Sequence, residues 1–416
     1  MPEGDRKPRK EESMRTGIIT FHFPYNCGAV LQCAALQTVL EDLGADVSVI
    51  NYRPQYHTAR YAVCKNPFSF FLSAVREAPP EAGAARKLYL GLRSFGRTVL
   101  SWGISPVRLP QRRKFAAFLE KYIHETAEYR DPASLKKGCG DYGLLIAGSD
   151  QLWAAQLTEM RFDPSYFLQF GSPAARKITY AVGANFTPCP DAEKLLPGLL
   201  SGLSVISLRE SRFLEDVRRA APGTPLRLDP DPTLLLRAED YARFLPAGVP
   251  ELDPYILTYC MPNETQQTVY EAAHLLSKQT GFRVIDVCGN PAPGNLRVRD
   301  HRTVGPDEFL WYVKNARFVL TNSFHGTAFS VIFQKHFCTV PHLRTGNRVS
   351  ELLERLGLGD RTAVSAADAA ARVQAPLQFD TALREIEGMR ASSIEYLREN
   401  LAAAGEAPVP ARKEKP

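Results

Sequence analysis

The chain of 416 residues lacks the short motifs that mark several common kinds of enzyme. It has no phosphate loop ending in Gly-Lys-Ser/Thr, and no Gly-x-Gly-x-x-Gly follows any predicted strand. The zinc-protease pattern His-Glu-x-x-His and the hydrolase pattern Gly-x-Ser-x-Gly are also missing. These absences argue against nucleoside triphosphate hydrolysis and nicotinamide chemistry.

Cysteine pairs and long apolar runs are missing as well. The eight cysteines are scattered without a single Cys-x-x-Cys, which disfavours a zinc knuckle or an iron–sulfur site and predicts no metal. Several lie in apolar runs, as small core residues do, and a reducing cytoplasm fits them. No apolar run approaches the roughly 20 residues that span a bilayer. Residues 1–15 are charged without an apolar core, so they predict a disordered leader rather than a secretory signal, and residues 405–416 predict a disordered tail.

Positive charge is concentrated in one segment. The chain carries a net charge of +6 with 44% hydrophobic and 23% charged residues, as in a globular protein of two domains. Ten basic and only three acidic residues lie between Arg86 and Arg130, which accounts for the whole excess. Solvated helix faces are the ordinary explanation, and attraction to an anionic acceptor or a membrane surface is the alternative. Aromatic and basic residues do not alternate as in a nucleic-acid-binding stripe, so no nucleic acid is expected.

Strands and helices are predicted to alternate in both halves of the chain. This pattern is typical of parallel sheets covered by helices, so we predict an α/β protein with two doubly wound domains that face each other across a cleft. We place the first domain at residues 16–225, with a helical basic insert at about 67–130, and the second at 226–380. A last helix, 381–404, is expected to pack back on the first domain. The predicted strands are Thr16–Phe21, Asp46–Asn51, Tyr142–Ala147, Lys177–Val182, Ser204–Leu208, Tyr255–Tyr259, Arg283–Val287, Arg317–Leu320 and Phe337–Val340.

Most of these strands end in polar or glycine-rich turns. The carboxyl ends of parallel strands and the helices that follow them form the ligand sites of open α/β sheets, so we predict that the turns line the cleft. The candidate binding residues are Asn26, Gly28, Gly148, Ser149, Asp150, Asn185, Asn322, Ser323, Gly326, Arg344, Asn347 and Arg348.

Two side chains are the best candidates for chemistry. Arg209 directly follows an apolar strand, where its guanidinium can hold a carboxylate or phosphate through two hydrogen bonds. An ion pair with Glu210 or Glu215 is the structural alternative. His325 lies between a strand end and Gly326, where an imidazole can exchange protons near neutral pH; a core histidine is the alternative there.

Six segments in order resemble the polysaccharide pyruvyl transferase family. They are Gly17–Gln32 (GIITFHFPYNCGAVLQ), Ala147–Trp153 (AGSDQLW), Ser207–Glu210 (SLRE), Leu228–Thr233 (LDPDPT), Thr321–Thr327 (TNSFHGT) and Asn347–Leu358 (NRVSELLERLGL).

The resemblance implies two Rossmann-like domains arranged as in B-type glycosyltransferases. It also implies phosphoenolpyruvate as donor, without a cofactor, and a sugar of a glycan or of its lipid-linked precursor as acceptor. By position, Arg209 resembles the donor-binding arginine of the family and His325 its catalytic histidine. Many members carry an arginine where this chain has Ser323, so a second cation for the donor is either missing or supplied from elsewhere, with Arg344 and Arg348 as candidates.

Two other functions remain open on the same sequence. One is a nucleotide-sugar glycosyltransferase, although no well-placed carboxylate follows the strand at Phe337–Val340 to hold ribose hydroxyls. The other is a non-catalytic protein of envelope assembly, which the serine at position 323 allows. A cytoplasmic location, with contact to the inner face of the membrane as an extension, fits the composition. The sequence gives no oligomeric state.

Overall fold

The computed structural model describes residues 15–61, 66–76, 78, 82–102, 105–187, 189, 191–249, 251–287, 300–342 and 347–405. Arg344, one of the predicted binding residues, lies outside these ranges, and so do residues 1–14 of the predicted leader and nearly all of the predicted tail. Arg15, predicted as the end of the leader, belongs to the first strand instead.

Parallel strands and surrounding helices make up the N-terminal half. Its strands are β1 (Arg15–Ile19), β2 (Asp46–Val49), β3 (Leu144–Ala147), β4 (Trp153–Ala154), β5 (Arg176–Thr179), β6 (Ala184–Asn185), β7 (Ile206–Leu208) and β8 (Leu226–Leu228). Its helices are α1 (Cys27–Asp42), α2 (Gln55–Tyr61), α3 (Pro67–Arg76), α4 (Ala84–Trp102), α5 (Ser105–Tyr122), α6 (Pro132–Gly138), α7 (Ala192–Leu200) and α8 (Leu214–Ala220).

The first sheet has the strand order β2-β1-β3-β5, and every pairing in it is parallel. A bridge between Ile178 and Val205 and another between Val182 and Leu208 bring the parallel pair β7-β8 alongside β5. Since β8 pairs with β7, the chain leaves this sheet only after Leu228, three residues past the boundary predicted after residue 225.

The C-terminal half repeats the architecture. Its strands are β9 (Tyr255–Tyr259), β10 (Arg283–Asp286), β11 (Asp300–His301), β12 (Phe318–Thr321) and β13 (His336–Thr339). They form one parallel sheet in the order β11-β10-β9-β12-β13. The helices are α9 (Gln266–Thr280), α10 (Pro306–Asn315), α11 (Phe324–Ile332), α12 (Asn347–Arg355), α13 (Ala366–Arg372) and α14 (Asp380–Ala403).

All nine predicted strands are present, and the predicted α/β class is confirmed. β9 has the predicted bounds, and α10 has the bounds Pro306–Asn315 that the sequence predicts for a helix. Six described cysteines are buried and form no disulfide, as predicted for core residues. The segment from Pro67 onward contains α3, α4 and α5, as its helical pattern predicted. None of the described helices is both long enough and apolar enough to cross a membrane.

Helix α14 returns to the N-terminal sheet through polar contacts. The hydroxyl of Tyr396 donates to the carbonyl of Thr179 in β5 at 2.9 Å, and Ser393 donates to the Asp229 carboxylate at 2.6 Å. Asn400 accepts a hydrogen bond from the Arg176 guanidinium at 2.8 Å.

The carboxyl edges of the two sheets face each other across the N-terminus of α1. The thiol of Cys27 lies 3.9 Å from the carbonyl of Gly305 at the start of α10, and Tyr259, which ends β9, donates to the Asn26 side chain at 3.4 Å. One apolar cluster runs through both halves, from Ile18 in β1 to Phe329 in α11. This packing fixes the polar strand ends of the two halves close to one another.

Candidate active site

A buried carboxylate joins the two residues that the sequence singled out. Asp231, just after β8, is fully buried; its Oδ2 accepts a hydrogen bond from Arg209 Nη1 at 2.7 Å and lies 3.7 Å from His325 Nε2. The same carboxylate accepts from the amide and the hydroxyl of Thr233. Arg209 and His325 therefore lie at one place, although they come from different sheets.

Local chain geometry explains how His325 reaches this position. Ser323 caps α11 by accepting from the amide of Gly326, which puts His325 in the first turn of the helix. Its ring packs directly on Gly28 of α1: a Cβ there would lie 2.1 Å from Cγ and Nδ1 of the imidazole. Only glycine leaves room for this contact between the halves, and the His325 side chain remains 10% exposed.

Arg209 is held by carboxylates on two sides. Its Nε donates to Glu210 at 3.1 Å, which is the ion pair given above as the structural alternative for this residue, and its guanidinium lies 5.1 Å above the Phe324 ring. Glu215, the other candidate partner, is bonded to Arg218 instead. Burial acts to lower the pKa of Arg209, but Glu210, Asp231 and Asp150 outweigh it and raise the pKa.

Neighbouring charged and polar groups also shift the pKa of Asp231. Burial acts to raise the pKa of this carboxyl, but the neighbouring His325, Arg209 and the Thr233 amide outweigh it, so that the pKa lies well below its usual range. Asp231 is therefore a permanent anion at neutral pH.

A second guanidinium reaches the site from α12. Arg348 Nε lies 3.8 Å from Glu210 Oε1, so Arg348 and Arg209 flank the same carboxylate. Burial and the positive charge of Arg209 lower the pKa of Arg348. Two cations held this close would be relieved by a bound anion.

Unsatisfied polar atoms cluster at the site. A cavity beside Glu210 and Arg348 is also lined by Gln151, Gln156, Asn185 and Phe213. Buried polar atoms without a partner are costly, and they are expected where a ligand completes the hydrogen bonding. Within the described residues, the atoms here without a hydrogen-bond partner are Gln156 Oε1, Asn185 Oδ1, Arg209 Nη2, His325 Nε2 and Arg348 Nε.

Two glycine positions near this cluster require glycine because other groups come close. A Cβ at Gly183 would lie 2.9 Å from Arg209 Nη2 and 3.1 Å from the Asp150 carbonyl. A Cβ at Gly148 would lie 2.0 Å from the Tyr180 carbonyl. The turns after β3 and β5 are thus pressed together beneath Arg209, and Asp150 lies in the same region with a positive φ of 70°.

Other predicted binding residues have their polar atoms engaged within the protein. Asn26 caps α1 through the amides of Gly28 and Ala29. Ser149 donates its hydroxyl to Ala181. Asn322 bonds the loop after β9, including both backbone groups of Met261. These three side chains hold the turns in place.

The last predicted positions lie at helix starts. Gly326, in the first turn of α11, is packed so tightly that a Cβ would lie 2.3 Å from the Thr321 hydroxyl. Asn347 begins α12, one residue before Arg348.

Three residues of the site were not among the predicted ones. Asp231 lies in the Asp-Pro-Asp-Pro segment, whose composition indicates a turn and not a ligand site. Its placement after a short strand beside Arg209 was the available signal. Gln156 and Gly183 carry no local signal, since the first follows a short paired strand and the second resembles any turn glycine.

Two α/β halves with parallel sheets therefore bring an arginine, a carboxylate and an imidazole into contact, with a second arginine close by. The polysaccharide pyruvyl transferase family profile matches residues 26–343. The chain belongs to this family of transferases.

Solved structures with the same two-domain outline are distant in sequence. The UDP-GlcNAc 2-epimerase of Methanocaldococcus jannaschii shares 12% identity over 91% of this chain and 99% of its own, with a TM-score of 0.44. The glycosyltransferase SnogD of Streptomyces nogalater shares 14% identity over 94% and 100%, with a TM-score of 0.42. At these scores neither likeness bears on the activity of this chain. No curated protein matches the sequence.

Proposed function

We propose that the protein transfers the pyruvyl group of phosphoenolpyruvate to two hydroxyls of a sugar, in a glycan or its lipid-linked precursor, and forms a cyclic pyruvate ketal. The observation that carries the proposal is that Arg209 and His325 both approach Asp231 while Arg348 lies beside Glu210, and that each guanidinium keeps a buried N–H without a hydrogen-bond partner. Family membership supports pyruvyl transfer to a polysaccharide.

The donor is a small molecule with a phosphate and a carboxylate, and the two arginines provide its counter-charges. Arg348 supplies the second positive charge for the donor, which many family members provide with an arginine at the position of Ser323. The N-terminus of α11 adds the positive end of a helix dipole on the same side. Both acidic groups of the donor are thereby neutralised before the reaction begins.

The reaction needs one proton-transfer group. A proton adds to the methylene carbon of the enol and makes it a methyl group, and the central carbon becomes cationic. An acceptor hydroxyl bonds to this central carbon and loses its proton. The bond between the central carbon and the phosphate oxygen breaks, and a second hydroxyl bonds to the same carbon, loses its proton and closes the ring. Of the two hydroxyl protons, one balances the proton taken up by the methylene carbon and the other leaves with phosphate. His325 exchanges the proton, as acid toward the methylene carbon or as base toward the acceptor hydroxyl.

The polar side chains of the adjoining cavity fit the acceptor. Asn185 Oδ1 and Gln156 Oε1 are unpaired acceptors, which suit the hydroxyl donors of a sugar. Phe213 gives the same cavity an apolar wall. The scheme calls for no cofactor, and it fits a cytoplasmic enzyme because phosphoenolpyruvate is an intracellular metabolite.

Calorimetric titration tests the donor directly. The protein is expected to bind phosphoenolpyruvate, and Arg348→Ala to weaken this binding by about 10- to 100-fold, because a hydrogen bond to a charged group contributes about 1.5–3 kcal/mol. Arg355→Ala, on the exposed side of the same helix, is the matched control and should bind like the unmodified protein. Binding of uridine diphosphate without binding of phosphoenolpyruvate would assign the cleft to a nucleotide sugar instead.

A substitution of Gly28 tests the contact that positions His325. Gly28→Ala is expected to lower turnover about 100-fold, because a Cβ at this position displaces the imidazole by an ångström or more. Phosphate release from phosphoenolpyruvate with a glycan extract measures it. Gly388→Ala in α14, where a Cβ meets no atom within 4 Å, should leave turnover unchanged. Equal activity of the two variants would show that the packing of His325 on Gly28 does not matter for the reaction.

A further inference from the structure

The structure has an apolar surface outside the candidate site, on the paired helices α3 and α4. Phe68, Leu72, Leu88, Tyr89, Leu92 and Leu100 are 53–75% exposed, and Val99 and Leu109 beside them are also exposed. Of the large apolar side chains that are exposed in the described residues, more than half lie in this region. Such a concentration marks an interaction surface, because single exposed apolar residues are normally scattered.

The exposed residues of α4 form one stripe. Leu88, Leu92 and Val99 are spaced by four and seven residues, and Tyr89 and Leu100 continue the same face. The adjoining face of α4 packs on α3: Phe95 lies 5.2 Å from Phe68, centroid to centroid, and a Cβ at Gly91 would lie 2.6 Å from the Phe71 ring. The stripe borders this contact and stays exposed.

The charges beside the stripe are all of one sign. Neither α3 nor α4 contains an acidic residue, whereas they carry Arg76, Arg86, Lys87, Arg93 and Arg97. By helical periodicity Arg86, Arg93 and Arg97 run along one edge of the stripe. A helix with leucine and aromatic residues on one face and arginines at its border is suited to lie in the interface of an anionic bilayer.

We propose that the α3–α4 surface docks the protein on an anionic lipid membrane, with the stripe in the acyl boundary and the arginines at the phosphates. A second copy of the chain is a poorer occupant, because a symmetric contact through this face would bring arginines against arginines. The proposal does not depend on the pyruvyl transfer.

The neighbouring helix α5 connects this surface with the cleft. Arg112 stacks 4.6 Å above the Tyr25 ring, one residue before the Asn26 cap of α1. Lys114 on the same helix bonds Glu308 of α10 in the other half. A docked α3–α4 pair would thus hold the cleft close to the lipid surface, where a lipid-linked sugar would be presented.

Sedimentation with lipid vesicles tests the docking. The protein is expected to pellet with phosphatidylcholine vesicles that contain about 30 mol% phosphatidylglycerol, and less as salt is raised, because salt screens the arginines. The double variant Leu88→Glu/Leu92→Glu should lower the partition coefficient by at least about tenfold, since the acids repel the surface and remove the apolar face. Circular dichroism checks that the variant is folded.

The matched control makes the same kind of substitution, an exposed aliphatic residue to glutamate, outside α3 and α4. Val364 and Leu195 are also exposed aliphatic residues, and Val364→Glu/Leu195→Glu should bind vesicles like the unmodified protein. Equal losses in both double variants, or no vesicle binding by the unmodified protein, would overturn the proposal. So would a dimer in gel filtration that Leu88→Glu/Leu92→Glu converts to a monomer while vesicle binding is unaffected.

Discussion

Replacing His325 with alanine is expected to lower turnover by about 100- to 10,000-fold, the range that general acid–base catalysis contributes. The reason is that His325 is the imidazole that approaches Asp231, and Arg209 and Asp231 beside it have pKa values far from neutrality in opposite directions. Phosphate release from phosphoenolpyruvate with a glycan extract measures the rate, and calorimetry measures donor binding.

Donor affinity separates a chemical role of His325 from a structural one. The alanine variant should bind phosphoenolpyruvate within a few-fold of the unmodified protein, because the two arginines remain. His124→Ala is the control, since His124 is an exposed histidine that pairs with Glu41 far along the chain from the cleft. Near-normal turnover of His325→Ala would remove the histidine from the mechanism.

The sequence predicted the elements well where local signals mark both ends. α10 begins at Pro306 after Gly305, whose amide donates to the Glu308 carboxylate at 3.0 Å, so its start follows from capping. β5 is different: an apolar run continues to Val182, but the strand ends at Thr179 and Ala181 takes a φ of 46°. A buried turn and a buried strand have the same composition, so periodicity cannot separate them.

In the candidate site, the sequence also fails to predict contacts between residues that are far apart in the chain. Arg209 and His325 were predictable because Arg209 directly follows an apolar strand, His325 lies in the turn and helix start after another, and the parallel topology brings such ends together. Asp231 was not, because its contact with His325 joins positions 94 residues apart and depends on how the two sheets face each other. The segment that composition marks as a domain boundary carries the carboxylate at the centre of the site.

Replacing Asp231 tests whether its carboxylate holds the site together. Asp231→Asn is expected to lower the free energy of unfolding by about 3–5 kcal/mol, because it leaves a buried guanidinium with one carboxylate partner fewer. Urea unfolding at neutral pH measures the change. Turnover should fall as well, since Arg209 loses the contact that orients it toward the cleft.

The pH dependence distinguishes the lost charge from lost packing. The pKa of Asp231 is depressed in the folded protein, so its contribution is fully present above the unfolded value of about 3.9 and disappears as pH falls toward the folded value. The difference in the free energy of unfolding between the unmodified protein and Asp231→Asn should therefore become smaller below about pH 4. Asp368→Asn, which breaks an exposed pair with Arg372, is the control and should cost less than about 1 kcal/mol at any pH. A loss that stays constant from pH 7 to about pH 3 would mean that the shape of Asp231, and not its charge, stabilises the site.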